Sequence, residues 1–112
     1  MTESPLRGEV WDVDLGYPVG HEAAFVRPAL VVSADRFNSH ELVSVCPITR
    51  TRKSYPTRVP LHPGVSGLDE TSYVQVEHVR TISTARLVGR RGRVTADDLR
   101  STARILRFLF EL

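Results

Sequence analysis

The sequence predicts a mainly β protein, a small twisted barrel with short helical turns and a C-terminal α-helix. Stretches rich in apolar and β-branched residues recur at intervals of roughly ten residues, separated by turns that contain Gly or Pro. Beyond residue 94, the apolar side chains change to the spacing of a helical face. With 112 residues the chain has the size of one small domain, so residues 1–112 are predicted to form a single domain.

Six stretches have the pattern of β-strands. The first alternates, which predicts one apolar face carrying Trp11, Val13 and Leu15, with Val10 on the other side. The second is a continuous apolar run, typical of a strand covered on both faces. The fifth is either one long bent strand or two strands with a break near Glu77. In chain order the predicted strands are residues 7–15, 29–33, 41–49, 57–61, 72–82 and 86–94.

The segments between the strands have loop chemistry. Residues 16–25 hold two Gly and one Pro, and residues 50–56 (RTRKSYP) form a basic loop. Residues 34–40 are predicted as a short helical turn, and residues 62–70 as turns.

The C-terminal segment begins with a capping-box-like pair, Thr95 and Asp98. Two apolar stripes follow, so the helix is expected to have two neighbours, its own sheet and a partner chain. The alternative is a helix packed wholly within its own domain. The first stripe contains Leu99, Ala103, Leu106 and Phe110, and the second contains Ile105, Phe108 and Leu112.

The net charge of +2 conceals an uneven distribution. Residues 1–49 carry a net charge of −4, whereas residues 50–112 carry +6, and Lys53 is the one basic residue that is not Arg. Because Arg makes bidentate contacts with phosphate, a polyanionic partner is plausible, although an Arg-rich composition also arises without one.

Several classes of site have no support in the sequence. Phosphate-loop, C-x-x-C and H-E-x-x-H motifs are absent, and the four His residues are scattered, so neither a metal site nor a cofactor is expected. Cys46 lies in an apolar strand and is predicted to be a buried structural thiol. No signal segment or membrane-spanning stretch is recognisable, so an intracellular, cytoplasmic protein is expected.

Five short motifs occur together in a specific order. They are RGEVWDVDL…GHE (7–22), RPALVVSADRFN (27–38), PIT (47–49), VEHVRTI (76–82) and RL (86–87). As a set they resemble the MazF/PemK/Kid family of toxin endoribonucleases from bacterial toxin–antitoxin pairs, over about residues 6 to 112.

The resemblance implies an SH3-like barrel with a C-terminal helix, of the CcdB/PemK type, assembled as a homodimer. It implies metal-independent cleavage of single-stranded RNA, such as mRNA, at short sequence motifs. It also implies a MazE-like antitoxin partner whose C-terminal tail occupies the RNA groove.

The resemblance assigns catalytic roles to Arg27, Thr49, His21 and Glu77. Certain family members carry an Arg two residues before the acid, where this chain has Gln75. An amide can bind a base or a phosphate, but it supplies no positive charge.

Cleavage through the RNA's own 2′-OH needs a base, an acid and stabilisation of the phosphorane. The Arg27 fork suits phosphate oxygens, and Pro28 restricts Arg27 to extended backbone. Thr49 can donate a hydroxyl hydrogen bond, and Glu77 or His21 can serve as base or acid. The expected products have 2′,3′-cyclic phosphate and 5′-OH ends.

A second group of side chains is predicted to bind RNA. Its charged members could follow the backbone, and its aromatic members either stack bases or belong to the core. The group consists of Arg50, Arg52, Lys53, Arg58, Gln75, Tyr55 and Phe25.

Two other functions are compatible with such a barrel. One is a CcdB-like poison that binds gyrase, and the other is a non-catalytic RNA-binding barrel. Neither needs both Arg27 and Thr49 beside one groove, so these two residues favour the nuclease.

Overall fold

The computed structural model describes residues 4–61, 64 and 66–112. This part of the chain contains seven strands, two α-helices and two 3-10 turns at Val76–His78 and Thr84–Arg86. The strands are β1 (Glu9–Asp14), β2 (Val26–Val31), β3 (Leu42–Thr49), β4 (Arg58–Leu61), β5 (Ser72–Gln75), β6 (Arg80–Ser83) and β7 (Leu87–Arg93). The helices are α1 (Asp35–Asn38) and α2 (Ala96–Phe110). Positions 62, 63 and 65 of the turns predicted at 62–70 lie outside the described residues.

All seven strands belong to one antiparallel sheet, in the order β4-β5-β3-β2-β1-β7, with β6 also paired to β3. β6 pairs with β3 over Leu42–Val45, and β5 pairs with it over Ile48 and Thr49. The 3-10 turn at Val76–His78 separates β5 from β6. The predicted break near Glu77 is therefore confirmed.

The sheet curls, but within the described residues no ladder joins its end strands β4 and β7. A loop residue makes the contact instead: Gly67 O accepts a hydrogen bond of 3.2 Å from Arg91 Nη1 of β7. Gly67 has a φ of +74°, and a Cβ there would collide with the Arg91 carbonyl oxygen. Glycine is required at this position both for its backbone conformation and for the close approach.

Two hydrophobic clusters lie on opposite sides of β2. Leu30 belongs to one cluster, whereas Ala29 and Val31 belong to the other, and all three are fully buried. The prediction that this strand is covered on both faces is confirmed. This packing holds Ala29–Val31, the half of β2 that follows Arg27 and Pro28.

The prediction of a single apolar face on β1 is wrong. Val10, assigned to the polar side, is fully buried in one cluster, while Val13 is fully buried in the other. The alternation itself is kept, since β1 pairs with β2 in an unbroken register, but a hydrophobic cluster covers each of its faces. Glu9 is buried too, and it accepts hydrogen bonds from Leu6 N–H at 2.7 Å and Arg90 Nη1 at 2.7 Å.

The predicted cap of the C-terminal helix is confirmed, because Thr95 Oγ1 accepts a hydrogen bond of 3.1 Å from Asp98 N–H. The predicted stripes are only partly right. Leu99 and Leu106 of the first stripe pack against the cluster that contains Leu30, and Ile105 of the second stripe packs there too. Phe110 of the first stripe is 58% exposed. The face of α2 that contacts the core is therefore rotated relative to the predicted face. Among the described residues, no helix is long and apolar enough to cross a membrane.

Candidate active site

Arg27 and Thr49 stand on neighbouring antiparallel strands. Ala29 of β2 pairs with Pro47 of β3, so the same register continued by two residues places Arg27 opposite Thr49. Both residues line a cavity of about 430 Å³, the first cavity. Its other lining residues include Asp12, Arg50, Asp69, Glu70 and Arg91.

The guanidinium of Arg27 is oriented by an amide. Arg27 Nη1 donates to Gln75 Oε1 over 3.5 Å, and Gln75 is 8% exposed at the end of β5. A neutral partner positions the guanidinium without offsetting its charge. Gln75 thus contacts Arg27, and it also lines the second cavity described below.

A second cavity, of about 620 Å³, adjoins the first at Thr49, which lines both. It brings together most of the other predicted site residues. Its lining comprises His21, Thr49, Thr51, Lys53, Tyr55, Arg58, Gln75, Glu77 and His78.

The Glu77 carboxylate is held from two sides in the second cavity. Arg58 Nε donates to Oε2 over 2.7 Å, and Thr57 Oγ1 donates to Oε1 over 3.0 Å. Burial by itself raises the pKa of Glu77, but the hydrogen bonds from Arg58, its own backbone N–H and Thr57 outweigh burial. The pKa is therefore lower than that of an ordinary glutamate, and the group is ionised at neutral pH.

Arg58 is less available for RNA than the sequence predicts. Its side chain is only 7% exposed, since it is bound to Glu77 and lies 5.0 Å from the centre of the Tyr55 ring. Tyr55 is itself 51% exposed and also lies under the Lys53 ammonium at 5.9 Å. The accessible surface of this cluster is thus the Tyr55 ring and Lys53.

The remaining predicted residues lie at the margins. Arg52 is exposed, and Arg50 makes an exposed ion pair of 3.9 Å with Glu70, a kind of contact that contributes little energy. His21 is exposed in the loop between β1 and β2. Phe25, at the end of that loop, is 56% exposed and has a φ of 61°, so it does not belong to the core.

Sequence reasoning missed several residues that line the two cavities, among them Arg91 and His78. Arg91 lines the first cavity, where its Nε donates to Asp12 over 2.8 Å, and His78 lines the second. Arg91 lies far from the other site residues in sequence, and only the β1–β7 pairing brings it there. His78 could have been predicted from the sequence, because it directly follows the candidate residue Glu77.

The Cys46 thiol is not in a reactive environment. Cys46 is fully buried, and burial, with a smaller contribution from the Glu77 charge, raises its pKa to about 12. The prediction of a structural thiol is confirmed. Among the described residues, no three His, Cys, Asp or Glu side chains converge in a group able to hold a metal ion.

Two endoribonucleases are similar to this chain in sequence. The endoribonuclease MazF9 of Mycobacterium tuberculosis is 38% identical over 113 residues, covering 95% of this chain and 96% of that protein. The endoribonuclease EndoA of Bacillus subtilis is 33% identical over 84 residues, covering 72% of each.

Solved structures show the same fold. The crystal structure of MazF from Deinococcus radiodurans superposes with a TM-score of 0.89 at 26% identity, covering 99% of this chain and 100% of that one. A mycobacterial endoribonuclease in complex with its cognate antitoxin gives a TM-score of 0.81 at 31% identity, covering 97% of each chain. These likenesses confirm the predicted fold class, with the difference that the ladder is not closed into a complete barrel.

The profile of the family described as PemK-like, MazF-like toxin of type II toxin-antitoxin system matches residues 6–110. Because that match covers nearly the whole chain, the protein belongs to the PemK-like, MazF-like toxins of type II toxin–antitoxin systems.

Proposed function

We propose that this chain is a toxin endoribonuclease that cleaves single-stranded RNA at short sequence motifs, without a metal ion, by attack of the RNA's own 2′-OH. Its relatives in Mycobacterium tuberculosis and Bacillus subtilis are endoribonucleases. The observation that carries the proposal is that Arg27 and Thr49 line the first cavity together and that Thr49 also lines the second cavity.

Arg27 and Thr49 stabilise the phosphorane. The guanidinium presents two N–H groups to two phosphate oxygens, and the Thr49 hydroxyl donates a further hydrogen bond. Arg27 does not transfer protons, because an arginine guanidinium stays protonated in proteins. Its contact with Gln75 limits the rotation of the guanidinium before RNA arrives, which reduces the cost of ordering it in the transition state.

Glu77 accepts the proton of the 2′-OH. As a carboxylate that is ionised at neutral pH, it is suited to be the base rather than the acid. The 2′-oxygen then bonds to phosphorus while the P–O5′ bond breaks. His21, in the loop above the second cavity, supplies the proton to the departing 5′-oxygen. The products are a 2′,3′-cyclic phosphate and a 5′-OH end.

The second cavity and its margin hold the RNA strand. Tyr55 offers an exposed ring for base stacking, and Lys53 and Arg52 supply charge to the phosphates. Arg58 acts indirectly, since it fixes Glu77 and supports the Tyr55 ring.

The partners follow from the same family. A cognate antitoxin is expected, because a mycobacterial relative forms a complex with its own. A homodimer is expected to cover the apolar end of α2, where Phe108, Phe110 and Leu112 are 71%, 58% and 80% exposed.

The test compares an RNA oligomer with the same oligomer carrying 2′-deoxy substitutions, in excess EDTA. We expect cleavage of the RNA to cyclic phosphate ends and no cleavage at deoxy positions. Activity that EDTA abolishes, or cutting that continues at deoxy positions, would contradict the mechanism. Inhibition of gyrase without RNA cleavage would favour the CcdB-like alternative.

A further inference from the structure

The loop that carries His21 is attached to the protein mainly at its two ends. Residues 15–25 connect β1 to β2 and are called the β1–β2 loop. At its base, Leu15 N–H donates to Phe25 O at 2.9 Å, and Phe25 N–H donates to Gly16 O at 2.7 Å. Its tip is closed on itself, since Glu22 N–H donates to Val19 O over 3.3 Å.

One hydrogen bond ties the tip of this loop to the body of the protein. Ala23 N–H donates to His78 Nδ1 over 3.4 Å. Among the hydrogen bonds of the described residues, no other joins residues 17–24 to the chain outside the loop. Ala23 also packs against the cluster that contains Val13, and Ala24 is buried, so this hydrogen bond and that packing together position His21 at the tip.

His78 lies between two cavities, the second cavity and a third one of about 320 Å³. Its Nε2 is 3.9 Å from Glu77 Oε2, and its side chain is 22% exposed. Tyr55 lines the second cavity together with His78. The charged or titratable groups that share these cavities with His78 are His21, Glu22, Lys53, Arg58, Glu77 and Arg80.

The bond to Ala23 requires a neutral imidazole. Nδ1 can accept a hydrogen bond only when it carries no proton, so the proton of the neutral ring is on Nε2. In the imidazolium both nitrogens are donors, and Nδ1–H would face Ala23 N–H, donor against donor. The Glu77 carboxylate beside Nε2 stabilises this charged form. His78 thus has two supported states, and only the neutral one holds the loop.

We propose that His78 is a positioning residue that fixes the β1–β2 loop over the second cavity through Ala23 N–H, and that protonation of His78 releases the loop. The effect on cleavage rests on the proposed function, because the released loop carries His21 away from its place. The loop is held while the His78 ring is neutral and is released when the ring gains a proton.

Two substitutions separate this role from a merely structural one. His78→Asn places a side-chain oxygen near the position of Nδ1, which accepts a hydrogen bond at every pH, whereas His78→Leu offers no acceptor. The matched control is His40→Asn, at an exposed histidine that follows α1 and lines neither cavity.

The first measurement needs no RNA. Hydrogen exchange of the Ala23 amide is followed by NMR from pH 8 to pH 5 and normalised to the unstructured rate at each pH. We expect protection in the wild type and in His40→Asn to fall about fivefold towards pH 5, the equivalent of one net hydrogen bond. In His78→Asn it should remain constant, and in His78→Leu it should be low throughout. In Glu77→Gln the midpoint should move to lower pH.

Constant wild-type protection, or a His78→Asn profile that follows the wild type, would overturn the proposal. If His78→Leu does not fold, the His78→Asn profile still decides. Single-turnover rates are then compared between pH 5.5 and 8, where we expect the wild type to lose rate towards acid pH and His78→Asn to lose less. If the wild type cuts no RNA at any pH, the proposed nuclease function is refuted. The hydrogen-exchange profiles test the role of His78 independently of that result.

Discussion

Arg27 in the first cavity and Arg58 in the second cavity have different partners. Arg27 donates to the neutral amide of Gln75, whereas Arg58 is bound at 2.7 Å to the Glu77 carboxylate and is 7% exposed. The charge of Arg27 therefore stays available to an incoming phosphate. The charge of Arg58 is paired with the Glu77 carboxylate and positions it. The same side chain is thus suited to transition-state stabilisation in one cavity and to positioning in the other.

Arg27→Ala should have the largest effect on activity. Removing the guanidinium is expected to lower the single-turnover rate about 10²- to 10³-fold, the loss typical of one oxyanion donor, while RNA binding falls much less. Rates at saturating enzyme and binding to an uncleavable deoxy-substituted RNA measure the two effects. The control Arg36→Ala removes an exposed arginine of α1 and should behave as wild type. Equal losses of rate and binding would reduce Arg27 to a backbone anchor.

Arg58→Leu should act on stability first. It leaves the Glu77 carboxylate partly buried without its cation, which is expected to cost about 2 kcal/mol of the free energy of unfolding. Urea denaturation measures the change. The double variant Arg58→Leu/Glu77→Leu should recover part of the loss, because no unpaired charge remains. A fully stable single variant that binds RNA weakly would instead place Arg58 on the RNA.

Glu77→Gln should change the response of stability to acid. Since the pKa of Glu77 is lower in the folded protein than in the unfolded chain, its carboxylate stabilises the fold fully above about pH 4.3. That contribution is lost as the pH falls through the lowered folded value. Urea unfolding from pH 7 to pH 3 should therefore show a shallower acid loss in Glu77→Gln. Glu9, whose pKa is also lowered, remains in both proteins and supplies the residual slope. Identical slopes would mean that Glu77 is not held by Arg58 in solution.

Arg52→Ala should give the smallest effect. Its exposed charge is expected to contribute one phosphate contact, so the dependence of log K on log salt should become shallower by about 0.7, the single-strand value. Binding to uncleavable RNA at several salt concentrations measures the slope. Arg36→Ala should leave it unchanged, and an unchanged slope in Arg52→Ala would place the RNA elsewhere.

Local patterns were sufficient for much of the architecture. Continuous apolar residues predicted that β2 is buried on both sides, and Thr95 with Asp98 predicted the start of α2. They failed where long-range pairing sets the local geometry. Val10 is buried because a hydrophobic cluster covers each face of β1, and Phe110 is exposed because the core contacts a rotated face of α2.

The candidate site shows the same division. Arg27, Thr49 and Glu77 were recognisable from motifs, but the motifs do not record which neighbour each side chain meets. Neither the bond from Arg27 to Gln75 nor the bond from Ala23 to His78, 55 positions apart, has a signature in sequence.

By itself, the sequence determined the element types, the family and the residues that can perform the chemistry, because these depend on local periodicity and on side-chain type. Only the tertiary structure decided that Arg27 faces an amide, that Arg58 is bound to Glu77 and that Ala23 N–H donates to His78. Partner, burial and charge state arise when β2, β3, β4 and β5 pair, and electrostatic environments depend on distances in space rather than along the chain.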